Sequence, residues 1–175
     1  MPQMQDHRFV RSVIYVCAHG SEGAMGLVIN KLMDNPPVKM SELMAKLGID
    51  VGGLRGDSRV HFGGPVESGL GFVLHSDDYK EEGTLVVGNN MALTATLDIL
   101  RAIGRGEGPK KCLLALGYSG WGPGQLDAEI QANGWLHVDA DETLVFDRDL
   151  KDKWQTAIAK IGVDLSALSG DAGHA

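Results

Sequence analysis

Ser119 is the residue whose setting most suggests chemistry. It lies in Leu116-Gly117-Tyr118-Ser119-Gly120-Trp121-Gly122, between an apolar run and a stretch of helical spacing, which is where a nucleophile elbow presents its serine. The elbow needs G-x-S-x-G so that no side chain obstructs the turn, but position 121 is Trp and the glycine comes one residue late. A hydrolase built on Ser119 would also need a base and an orienting acid. His137 and Asp139 are of the right types but carry no local signature. The same segment can instead set Ser119 and the glycine amides at the N-terminus of a helix beginning near Gln125, a niche that favours an anion or a carbonyl. A tight turn packed by Trp121 is the plainest alternative.

Histidines 19, 61, 75 and 137 fall at or near predicted strand ends. Cys17 and His19 share a strand face by period two, yet no spacing requires a metal, and none is expected. Cys17 and Cys112 each sit in an apolar run, where a free cysteine behaves as a small core residue. The run Gly104-Arg105-Gly106-Glu107-Gly108-Pro109-Lys110-Lys111 lacks the phosphate-loop frame, and no G-x-G-x-x-G follows a strand, so the motifs imply no nucleotide and no cofactor. Arg101, Arg105, Lys110 and Lys111 face only Glu107 locally. Such a patch either steers an acidic partner or phosphate group or complements the C-terminal end of a helix dipole. Arg55-Gly56-Asp57 reads as loop chemistry.

The elements that must position these groups follow from periodicity. Residues 10–18 and 24–30 are β-branched, apolar runs around His-Gly-Ser-Glu-Gly and predict a hairpin. Residues 38–47 predict a helix with Val38, Leu43, Met44 and Leu47 on one face, stopped by Gly48. Segments 59–62 and 71–76 predict two short strands, and their Gly- and Pro-rich connector is long for a hairpin, so it is either a binding loop or a bulged turn. Residues 84–87 predict a strand. Gly88-Asn89-Asn90 would then cap a helix with Leu93, Leu97, Leu100 and Ile103 at helical spacing. Residues 111–117 predict a strand covered on both faces. Residues 125–133 predict a helix burying Leu126 and Ile130, 135–138 and 143–146 two more strands, and 150–161 a helix with Trp154, Ile158 and Ile161 inward. The tail after Ser169 has nothing to pack.

Hairpins among single helices predict an α+β fold, one compact domain over residues 1–175 with a mixed sheet. A net charge of −7 disfavours direct DNA binding and any grip on an acidic membrane. No apolar stretch approaches a membrane span, and residues 1–11 lack the apolar core of a signal peptide, so a cytosolic protein is expected. Glycine is the compositional outlier: 24 of 175 residues, about twice the usual ~7%. Eight of the 24 lie in two short segments, at 63, 64, 69 and 71 and at 117, 120, 122 and 124.

Those two segments also belong to a longer pattern. MPQM-Q-D-HRFVRSVIYVCAH, GAMGLVINK, FGGPVESGLGFVLHS, LGYSGWGPGQLDAEI and LSGDAGHA resemble the AlgH/YqgE family of bacterial proteins along nearly the whole chain. The resemblance implies a compact α+β fold with a partly barrel-like sheet, a cytosolic protein and no assigned reaction, with a role in regulation as the family's proposed theme. Members usually carry an apolar strand ahead of the Met-Pro dipeptide, so this chain either starts upstream or exposes a sheet edge. Carried onto this sequence, the resemblance puts His19, Asn30, Lys31, Gly63, Gly64, Pro65, His75, Ser119, Trp121 and Gln125 on a shared surface, with Glu129 and Asn133 beside them. A polar set on loops without a complete catalytic constellation predicts a small ligand or protein partner bound between glycine-rich loops. A hydrolase using Ser119 or a loop histidine is the alternative.

Overall fold

The computed structural model describes residues 6–88, 90–146 and 149–162. The chain forms β1 (Ile14–Gly20), β2 (Gly23–Val28), α1 (Met40–Lys46), β3 (His61–Phe62), β4 (Val66–Ser76), β5 (Leu85–Gly88), β6 (Met91–Thr94), α2 (Leu97–Gly104), β7 (Cys112–Trp121), α3 (Gln125–Gln131), α4 (Glu142–Phe146) and α5 (Lys153–Lys160). One seven-stranded sheet runs β1-β2-β7-β4-β6-β5, with β3 also on β7. Its pairs are antiparallel except β3 with β7. The sheet curls until its edges approach: the Tyr15 hydroxyl of β1 donates to the Val87 carbonyl of β5 at 3.1 Å. This is the α+β, barrel-like architecture expected.

Strand β7 explains the apolar run at its start. Leu113 and Ala115 point into a core with Tyr15, Leu27, Phe72 and Leu74. Leu114 points the other way, into a second core with Val73, Met40 and Met44 of α1, and Ile99 and Ile103 of α2. Both faces are buried, so the strand reads as unbroken hydrophobicity rather than alternation. Each fully buried aliphatic side chain there contributes roughly 1.5–3 kcal/mol of transfer free energy.

The glycine-rich segments meet each other. At Ala115 and Leu116, β7 pairs with β3 and with β4, so these two strands flank it on opposite edges and residues 63–65 must cross over it. A Cβ built on Gly63 would lie 2.2 Å from the Gly117 carbonyl oxygen, one on Gly64 2.1 Å from the Tyr118 carbonyl carbon, and one on Gly117 2.4 Å from the Gly64 oxygen. Two backbones are in contact, which only glycine permits. The connector is therefore neither a free loop nor a hairpin turn: β4 begins at Val66 and bulges between Val66 and Gly71.

Four sequence-based expectations are overturned. Residues 118–121 continue β7 instead of turning, because β2 pairs with Ser119, Gly120 and Trp121. Residues 91–94 form β6, paired with both β4 and β5; Asn90 turns the hairpin at φ 59°, and Thr96 caps α2, its hydroxyl accepting from the Ile99 amide. Residues 135–138 have no strand partner and form no strand. Residues 143–146 belong to the short helix α4, where Asp141 accepts the Leu144 amide at 2.8 Å. The expectation for the tail after Ser169 lies outside the described residues. No described helix is long and apolar enough to cross a membrane.

Candidate functional site

At one end of the molecule, helix α3 follows β7 directly and packs beside β2. Gln125 caps the junction, its side-chain oxygen accepting the Gly122 amide at 2.9 Å. One turn on, Glu129 collects three donors. The indole N–H of Trp135 reaches its Oε2 at 2.7 Å, that of Trp121 the same oxygen at 3.0 Å, and the Gln125 amide its Oε1 at 2.8 Å. Partial burial raises the Glu129 pKa, but the Trp135, Gln125 and Trp121 donors outweigh it and hold the carboxyl below its ordinary value. The indoles so fixed stand edge to face, 6.0 Å apart at 80°, and Phe9 continues the stack against Trp135 at 5.9 Å.

Behind this hub lies a cavity of about 270 Å³ between β1, α3, residues 135–138 and α5. Trp121, Trp135, Trp154, Leu126, Ile130 and Ile158 are part of its mainly apolar wall, and Ser12 and His137 are among its few polar members. Arg11 holds the Trp154 ring from outside, its guanidinium 5.5 Å from the ring centroid. An engineered apolar cavity of about 150 Å³ accepts benzene, so this one has room for a somewhat larger flat apolar body with one polar tip.

Of the residues the sequence singled out, Trp121, Gln125 and Glu129 are brought together here. His19 stands nearby, exposed, its Nε2 3.1 Å from Asp127 Oδ2 of α3, facing a shallow groove that also reaches Trp121. Asn133 ends α3 at φ 56°, exposed. The rest lie elsewhere. Asn30 pins the N-terminal segment, accepting the Val13 amide and donating to the Arg11 carbonyl, each at 2.8 Å. Lys31 donates to the Arg8 carbonyl at 2.7 Å. Gly63, Gly64 and Pro65 form the crossing over β7. His75 is fully buried, with Nδ1 2.8 Å from the Ser76 carbonyl and Nε2 2.9 Å from the Thr94 hydroxyl. Ser119 is 1% exposed, and its hydroxyl donates only to the Gly63 carbonyl, at 3.4 Å. No base lies within hydrogen-bond reach of it among the described residues, so a nucleophile's geometry is missing. Cys17 and Cys112 are free thiols pushed by burial up to about 12 and about 11, values that suit inert core residues.

The sequence did not single out Trp135 or place Trp154 and the α5 face at a site. Residues 135–138 read as a strand, and α5 reads simply as an amphipathic helix. The signal available was compositional: all three tryptophans of the chain fall between 121 and 154.

His61 is the other notable titratable group. It is 9% exposed on β3, and burial, with the Lys153 ammonium nearby, pushes its pKa down to about 4. Burial likewise lowers that of His75. A histidine more acidic in the folded than the unfolded state takes up its proton on unfolding, so its contribution is complete above about pH 6.5 and is lost as the solution is acidified. His61 is therefore expected to remove about 2 kcal/mol of stability between pH 6.5 and 5. Urea unfolding across that range checks this; a His61→Gln variant with an equally steep pH dependence would contradict it.

A family model described as AlgH-like matches residues 1–166. A UPF0301 protein of Rhodospirillum rubrum is 54% identical over 175 residues, covering 100% of this chain and 90% of that protein. The solution structure of the AlgH protein from Pseudomonas aeruginosa matches with a TM-score of 0.77 at 38% identity, over 100% of this chain and 92% of its own. A crystal structure from Corynebacterium diphtheriae has the same fold at 20% identity, with a TM-score of 0.71 over 90% of this chain and 81% of its own. The sequence motifs, the nearly closed sheet and these matches agree: the chain belongs to the AlgH-like family.

Proposed function

We propose that this chain is a non-catalytic cytosolic binding protein that takes a small, flat, mainly apolar ligand in the tryptophan-walled cavity. The observation that carries the reading is the Glu129 hub. One carboxylate oxygen fixes two indoles, so the aromatic wall is organised before any ligand arrives, and pre-organisation is what converts contact area into affinity. Aromatic walls with few polar groups are the usual make-up of small-molecule sites. Two unlinked cysteines suit a reducing compartment.

Calorimetric titration with 2-naphthol, an apolar bicycle bearing one hydroxyl, tests this. One saturable site per chain is expected, with affinity at least tenfold lower in Trp135→Ala. Absence of saturation, or equal affinity in the variant, would reject the reading. Binding that appears only after removal of residues 163–175 would also reject it, assigning the cavity to the chain's own C-terminal segment.

A further inference from the structure

A second cavity of about 680 Å³ lies among the loop at 54–59, the segment at 106–113 and helix α4. It shares no lining residue with the tryptophan cavity. Arg55, Arg59, Lys110 and Lys111 line it, against Asp57 and Glu142, an excess of cations on a protein of net charge −7. Both carboxylates are engaged: Glu142 accepts Lys111 at 2.7 Å, and Asp57 accepts the Ser41 amide and hydroxyl at 3.1 and 2.9 Å. Arg59 pairs with Asp34 at 2.5 Å. Arg55 and Lys110 have no carboxylate at ion-pair distance among the described residues.

The loop that carries Arg55 is anchored at Gly53. Gly53 donates to the Gly104 carbonyl at 2.8 Å, and a Cβ on Gly53 would lie 2.5 Å from the Arg105 carbonyl, so the loop carrying Arg55 is packed backbone on backbone against the end of α2. His61 lines the same cavity, nine-tenths buried, but its Nδ1 is closed off from the cavity space, unpaired among the described residues, and its ring lies against the Leu114 backbone.

We propose that this cavity binds a small phosphate-bearing molecule. Its phosphate is met by the Arg55 guanidinium and the Lys110 ammonium. A fork-shaped guanidinium beside a point charge suits a tetrahedral dianion. The volume far exceeds one phosphate, and Leu54, Ile103 and Phe146 on the wall offer the remainder an apolar surface. The basic stretch that ends at Lys111 thus divides: Arg101 and Arg105 pair with Asp98 and Glu107, while Lys110 and Lys111 face the cavity.

The probe is phenyl phosphate, followed by NMR of backbone amides and of the tryptophan indole N–H groups, with phenol and sodium chloride of matched ionic strength as controls. Saturable shifts at Arg55, Gly56 and Lys110 are expected, with affinity at least tenfold weaker in Arg55→Gln/Lys110→Gln. The proposal is overturned if the shifts are unsaturated and match those of the salt control, if the double variant binds equally well, or if the tryptophan indoles respond instead.

Discussion

Gly64→Ala is expected to destabilise the protein by about 3 kcal/mol or more, enough to leave little folded chain in a domain of ordinary marginal stability. The new methyl would stand 2.1–2.4 Å from the Tyr118 carbonyl and the Ser119 nitrogen. These are backbone atoms of the central strand β7, so no rotamer change relieves the overlap. Relief would require parting β7 from the crossing segment, which carries the bond from the Gly63 amide to the Leu116 carbonyl, 2.9 Å. Gly117→Ala meets the same obstacle from the other side, with φ at 71° adding backbone strain. Gly69→Ala is the control: nothing lies within 4 Å of its added Cβ, and the change is expected to be worth less than about 0.5 kcal/mol. Urea unfolding of the three variants checks the set. A Gly64→Ala protein as stable as Gly69→Ala would show that the two backbones do not touch.

The contrast also shows what the sequence could disclose. Clustering of glycines at 63–71 and 117–124 is visible in the chain, and it marks a place where backbone comes close to something. Only pairing shows that each cluster is what the other approaches, because neighbours as far apart in the chain as Phe62 and Leu116, or Gly71 and Leu116, leave no local signal. Strand β7 was legible from its apolar run, and the helices at Gln125 and at Lys153 from their spacing. Strand β6 was not: Leu93 sits four residues before Leu97 and so fits a helical stripe, and its pairing with Leu74 and Leu85 outweighed that local pattern. Helix α4 was missed for a different reason, since Thr-Leu-Val-Phe has strand character, although the Asp141 cap that starts it was present to be read. At the site, Trp121, Gln125 and Glu129 were legible through the family resemblance, within a wider set that includes the buried His75 and Ser119. The indole of Trp135 was not, because its partner is the side chain of Glu129 rather than any strand.

The second large effect is expected at Glu129. Glu129→Ala leaves two indole N–H groups and the Gln125 amide without their acceptor, and Trp121 is 9% exposed, so water cannot fully replace the carboxylate there. Bonds to a charged acceptor contribute roughly 1.5–3 kcal/mol each when buried and less at a half-open site. A total loss of about 3 kcal/mol is therefore expected, together with at least a tenfold fall in 2-naphthol affinity, because the indoles are no longer held at the wall. Glu129→Gln keeps one acceptor oxygen and is expected to lose about half as much. The pH dependence identifies the charge. Since the folded carboxyl is held below its ordinary value of 4.5, its contribution is fully present above that pH and is lost as the solution is acidified below it, a window lower than that of His61. Glu129→Gln should flatten the stability curve below about pH 4.5 and leave the His61 region unchanged. Glu129→Ala within about 0.5 kcal/mol of the parent protein would mean the two indoles are positioned by packing alone.

The central claim is that the tryptophan-walled cavity receives a ligand, and the most direct measurement is a ¹⁵N-edited NMR titration of the three indole N–H resonances with 2-naphthol. The indoles of Trp121, Trp135 and Trp154 are predicted to move together to one saturation point, with intermolecular NOEs from the naphthol ring to the methyl groups of Leu126, Ile130 and Ile158. Indole shifts that grow linearly without saturating, or saturation without NOEs to those methyls, would contradict it.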